Sequence, residues 1–179
     1  MTYQKEFQEA LLRNERFGFE IPNFKFETKR YITDDFIAQL PYVIRDTYGE
    51  LSAEDLVARC IPIHFGLANL ISEQLNVPTY FTLGDFSIAN KRCYEITEES
   101  LKKQLISGVN CFSMKIHAWL TLPSMEIIDF TLATTFDKMF NSGGAGGIVT
   151  KHYSELTGEF AYHPMLIGEE YLKNLDFSI

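Results

Sequence analysis

Residues 60–80 open with Cys60-Ile61-Pro62-Ile63-His64-Phe65 and close with Leu75-Asn76-Val77-Pro78-Thr79-Tyr80. Between them Ile63, Leu67, Leu70, Ile71 and Leu75 recur at three- and four-residue steps, the apolar stripe of one helix face. Pro62 falls in the first turn, where the missing N–H costs nothing. Pro78 disfavours helix at the residue before it, so the helix is predicted to stop at Asn76. Val77 to Leu83 is rich in β-formers and reads as a strand ending at Gly84. A cysteine at a helix start, with a strand directly after the helix, organises the reading of everything else.

Upstream the chain reads as helical. Phe7, Ala10 and Leu11 predict a helix over about Tyr3 to Arg16. Thr33 before Asp34 and Asp35 marks a capped helix start, and the helix is expected to be disturbed near Pro41. Ser52-Ala53-Glu54-Asp55 resembles a capping box leading into Leu56-Val57-Ala58-Arg59. Downstream, Thr97 opens a short polar helix closed by Gly108. Met114 to Leu122 and Met125 to Phe130 predict a hairpin around Pro123-Ser124. Phe160 to Ile167 predicts a further strand, with Pro164 pointing to an edge or a bulge. Helices first and an antiparallel sheet afterwards is an α+β pattern.

At 179 residues the chain has the size of a single domain, spanning 1–179, by the guide of roughly 150 residues per domain. Hydrophobic residues at 46% and charged residues at 22% exclude wholesale disorder. No apolar run approaches the roughly 20 residues of a membrane span. The opening Met1-Thr2-Tyr3-Gln4-Lys5-Glu6 has no basic region followed by an apolar stretch, so a cytoplasmic protein is expected, or an effector exported by a signal-less route. The net charge of −8 repels phosphate backbones and anionic lipid, which argues against nucleic-acid and membrane partners. Cys60, Cys93 and Cys111 are too few and too scattered for a disulfide framework or a paired-cysteine metal site.

Two features carry chemistry. Cys60 stands where helix N–H groups and the neighbouring Arg59 favour an anion, surroundings that can bring thiol pKa values to about 3.5–7.5. The plain alternative is a small buried apolar side chain. His117 and Asp129 each lie six residues from Pro123. With the turn centred there they face each other across the hairpin, Cβ atoms about 4.5–5.5 Å apart. A one-residue shift of the turn is expected to carry the pair to opposite faces. A carboxylate so placed fixes the imidazole's tautomer and stabilises imidazolium. Cysteine, histidine and aspartate in this order are what acyl transfer needs.

These segments resemble the transglutaminase-like superfamily of papain-like cysteine enzymes. The Cys60-headed helix running into Leu75-Asn76-Val77-Pro78-Thr79-Tyr80, His117-Ala118-Trp119 and Ile128-Asp129-Phe130-Thr131 match that family's motifs in order, over about residues 52–135. The resemblance implies a papain-like core, Cys60 as nucleophile, His117 as general acid/base and Asp129 as its orienting partner. Two positions depart from the family pattern: Ala58 replaces a glycine two residues before the cysteine, and Phe130 replaces a proline after the aspartate. Tyr48 and Gln39 are candidates to supplement the oxyanion hole.

Cysteine-dependent acyl transfer on an amide of a protein or peptide substrate is therefore expected, with glutamine deamidation or transamidation first. A papain-like protease and an inactive binding module on the same fold are the alternatives. No cofactor or metal is implied. Cys93 lacks an ordered His–Asp partner, and Cys111 is expected near the strand of His117, its thiol pointing away. His64 shares a helix face with Cys60, but two ligands make no zinc site. His152 and His163 read as surface or core residues. The run Asn141 to Gly147 lacks the Lys-Ser/Thr of a phosphate loop and is a candidate gate over a cleft.

Overall fold

The fold was analysed as a computed structural model describing residues 2–89, 91–93, 95–108, 115–140, 146–156 and 160–175. It is α+β. Among the described residues six strands form one antiparallel sheet: β1 (Tyr80–Ile88), β2 (Lys91–Arg92), β3 (His117–Thr121), β4 (Glu126–Asp129), β5 (Val149–His152) and β6 (Phe160–Ile167). One edge of β1 carries β6, and the other carries β3 and, further along, β2. Beyond β3 the sheet continues through β4 to β5.

Helices cover both faces. The helix α1 (Tyr3–Arg16) packs along β6, burying Phe7 and Ala10 against Trp119, Ile127 and Tyr162. Asn14 acts as a peptide surrogate there: its amide donates to the Ile167 carbonyl at 2.5 Å and accepts the Ile167 N–H at 3.1 Å. Tyr3 receives the indole N–H of Trp119 at 2.8 Å and bonds to Thr121 at 2.6 Å. On the opposite face α2 (Asp34–Tyr48) and α4 (Cys60–Gln74) enclose the larger core. Leu67 and Ile71 of α4 are fully buried there, each contributing roughly 1.5–3 kcal/mol.

The remaining helices are α3 (Ala53–Leu56), α5 (Glu98–Ser107), α6 (Leu132–Phe140) and α7 (Glu170–Asn174). Thr33 caps α2 by accepting the Phe36 N–H at 3.2 Å, and Ser52 with Asp55 closes a capping box on α3. The expected disturbance at Pro41 does not occur, for α2 runs through it. Pro41 and Ile37 both lie on the exposed side, so the carbonyl that loses its partner faces water.

The first strand differs from expectation. It starts at Tyr80 and continues through Gly84 to Ile88. A side chain at Gly84 would lie 2.1 Å from the His163 carbonyl oxygen and 2.8 Å from the Trp119 ring, so this glycine permits close approach rather than ending the strand. Pro164 meets both expectations, since β6 pairs among the described residues only with β1 and its register shifts at Leu83/Gly84. No helix among the described residues is long and apolar enough to cross a membrane.

Candidate active site

Cys60 is the first residue of α4 and His117 the first of β3, so helix start and strand start meet at one end of the sheet. The Cys60 sulfur is half-buried, 3.9 Å from the carbonyl of Ile116, the residue before His117, and it shares one cavity wall with the His117 imidazole. The other side of the ring is engaged by Asp129, with Nε2 to Oδ2 at 2.6 Å. That leaves Nδ1 as the nitrogen available to sulfur. Phe86, Trp119 and Tyr162 surround the ring at centroid distances of 5.2, 5.8 and 6.3 Å, which holds its orientation.

The hairpin register that makes this contact is not the expected one. Leu122 accepts the Met125 N–H and donates to the Glu126 carbonyl, enclosing a three-residue loop of Pro123, Ser124 and Met125. Met125 takes the left-handed position of such a loop, at φ 65°. The turn is thus centred on Ser124, with Leu120 opposite Ile128 and Thr121 opposite Ile127. Extending that register sets Asp129 across from Trp119, diagonal to His117. Contrary to expectation, this one-residue shift of the turn does not separate the faces: moving the centre by a whole residue shifts the pairing by two, so both side chains stay on one face. The direct facing is corrected to a diagonal, which long side chains span.

Asp129 collects more donors than His117. Its Oδ2 also accepts the Tyr162 hydroxyl at 2.9 Å, and Oδ1 accepts the N–H groups of Thr131 and Leu132 at 2.9 and 3.0 Å and the Thr131 hydroxyl at 3.2 Å. Burial alone would raise its pKa, but the His117 charge and hydrogen bond hold it well below the usual carboxylate range. Burial likewise opposes charging His117. The Asp129 carboxylate and then the Cys60 sulfur outweigh it, raising the imidazole to about 10. Burial, with Asp129, pushes the Tyr162 phenol well above its ordinary value, so it remains a donor.

His64, set aside in the sequence as an incomplete metal ligand, proves central to the geometry. It is fully buried, its Nδ1 donates to the Cys60 carbonyl at 2.7 Å, and its Nε2 accepts the Phe130 N–H at 3.0 Å. Those two bonds define the neutral Nδ1–H tautomer, so the 3.4 Å approach of Nε2 to Asp129 Oδ1 is a packing contact. A proline at 130 would have no N–H to offer. Its i+4 spacing from Cys60 was the available signal, while its link to residue 130 exists only in three dimensions.

A cavity of about 500 Å³ opens over Cys60 and His117. Cys93 also lines it, its thiol pushed up by desolvation and by Asp85. A second hollow of about 420 Å³ lies against α2 and α4, contains Ile148 and touches neither Cys60 nor His117.

The two oxyanion candidates are elsewhere. Tyr48 packs over Gly66, about 9 Å along α4 from Cys60. Gln39 lies with Gln74 and Asn76 at the far end of that helix, about 20 Å away. His163 bonds to Ser87 at 2.8 Å and Glu6 at 3.1 Å, tying α1 to the sheet, and His152 bonds to Ser154. Cys111 and residues 141–145 of the candidate gate lie outside the described residues. Among the described residues no group of three His, Cys, Asp or Glu side chains is placed to hold a metal ion.

Compared with protein-family models, curated proteins and solved structures, the chain matches none of them.

Proposed function

We propose that this chain is a papain-like, transglutaminase-related cysteine enzyme that transfers an acyl group from an amide through a thioester on Cys60. The observation that carries the reading is the meeting of Cys60 and His117 at the wall of one open cavity, with His117 bonded on to Asp129. His117 takes the thiol proton, and the imidazolium it becomes is stabilised by an anionic Asp129. The sulfur attacks the amide carbon, forming the S–C bond as the C=O electron pair moves onto oxygen. The Cys60 N–H, in the first turn of α4 where amides lack intrahelical partners, can receive that oxyanion.

Collapse breaks the C–N bond, with the imidazolium proton leaving on the amine. His117 then deprotonates a water that cleaves the thioester, releasing the acid and restoring the thiol. With a glutamine side chain the first leaving group is ammonia, so deamidation of a protein or peptide is the specific reaction proposed. Intact-mass measurement of candidate substrates tests it. A gain of about one mass unit supports deamidation, a covalent adduct supports transamidation, and fragments reassign the site to peptide hydrolysis. Unchanged substrates with an unreactive Cys60 contradict the acyl-transfer reading.

A further inference from the structure

The walls of the cavity over Cys60 have a consistent chemistry. Phe86 and Ile88 come from β1, Ile116 from the lead-in to β3, and Leu132, Phe136 and Met139 from α6. Among the described residues no Asp, Glu, Lys or Arg lines it, and its polar atoms belong to Cys60, Cys93, His117, Thr131 and Thr135. Apart from His117, whose charge is already met by Asp129, a charged group entering would shed its water with no counter-charge to meet. The volume of about 500 Å³ falls within the roughly 300–1,000 Å³ range of small-ligand pockets, far beyond the needs of one carboxamide. Met139 is largely exposed, which places a flexible, adaptable side chain at the rim.

We propose that this chamber takes an uncharged, apolar substituent on the acyl side of the reacting carbonyl, and that this group selects the substrate. On a protein it would be a hydrophobic side chain neighbouring the reacting glutamine, and on a smaller molecule a long aliphatic or aromatic acyl group. The inference rests on the acyl-transfer reading of Cys60 and adds the substrate class to it.

The test uses the full chain with the p-nitrophenyl esters of acetic, hexanoic and phenylpropanoic acids. In each, the Cys60 S–C bond forms as the ester C–O bond breaks, and p-nitrophenolate leaves with the electron pair. Release of the phenolate is timed, peptide mass locates the acyl group, and rates are normalised to glutathione. A buried methylene is worth about fourfold, so hexanoyl transfer to Cys60 should exceed acetyl transfer by about tenfold or more. A larger gain for the phenylpropanoyl ester identifies an aromatic occupant, and a larger gain for hexanoyl an aliphatic one. Met139→Glu should reduce the hexanoyl-to-acetyl ratio severalfold. Equal acylation of Cys60 by all three esters overturns the chamber's role while leaving the nucleophile standing. Absence of acylation at Cys60 in a chain with native circular dichroism overturns the underlying reading and the proposal with it.

Discussion

The His64 imidazole joins two segments that meet at the site: it accepts the Phe130 N–H at 3.0 Å while donating to the Cys60 carbonyl at 2.7 Å. The start of α4 is thereby fixed to the residue that follows Asp129. His64→Ala leaves the buried Phe130 N–H unpaired, costing about 1–3 kcal/mol, while the Cys60 carbonyl keeps the helical N–H of residue 64. We expect a loss of that size in denaturant unfolding and reduced turnover. His64→Gln, which keeps a donor and an acceptor, should recover part of both. An unfolding midpoint for His64→Ala equal to that of the wild type would show that the bridge positions nothing.

The His117–Asp129 pair predicts a specific pH dependence of stability. His117 is raised from 6.5 to about 10 in the folded chain, so its contribution is full below 6.5, declines as pH rises, and is gone above about 10. Asp129 is depressed, so its contribution is present above the usual carboxylate range and lost as pH falls toward its lowered value. Thermal melts across pH should show a decline from near neutrality to pH 10 that is much shallower in Asp129→Asn. Parallel profiles for the two proteins would contradict the pairing.

Ala58, two residues before Cys60, sits at φ 57°, a left-handed conformation that costs a residue with a Cβ about 1–2 kcal/mol. It is exposed, so Ala58→Gly removes little packing. After the extra chain entropy of glycine is subtracted, a net gain of about 0.5–1 kcal/mol is expected in chemical denaturation. Destabilisation by this substitution would mean that the strained backbone is not what the solution structure contains.

The proposed acyl transfer makes separate demands on Cys60 and His117. Cys60→Ala should abolish amide cleavage while leaving far-UV circular dichroism unchanged. His117→Ala should lower kcat by about 10²–10⁴-fold, the usual worth of a general acid/base. Full turnover by either variant would remove that residue from the mechanism.

Much of this arrangement is legible in the amino-acid order because local rules suffice for it. The α1 bounds, the caps at Thr33, Ser52 and Thr97, and the stripe of α4 all follow from short-range periodicity and capping. The hairpin register is not local in that sense. Met125 occupies a left-handed position with no glycine to announce it, and so the turn centre lies one residue beyond Pro123. Gly84 reads as a strand end, yet its small size admits the His163 backbone and the Trp119 ring, contacts set by tertiary packing. The segment after Asp129 gives little warning of α6, whose first amides are held by the Asp129 carboxylate itself. The roles of His64 and Tyr162 depend on residues 66 and 33 positions away, beyond the reach of any motif.

The most direct measurement is the rate of iodoacetamide alkylation of each cysteine at pH 6, followed by peptide mass. A sulfur set at the same cavity wall as the imidazole of a His117–Asp129 pair has a base at hand to take its proton, so Cys60 is predicted to be modified far faster than Cys93, whose thiol is pushed up, and Cys111. His117→Ala should erase the difference. Equal, slow labelling of all three cysteines in the native chain would contradict the account.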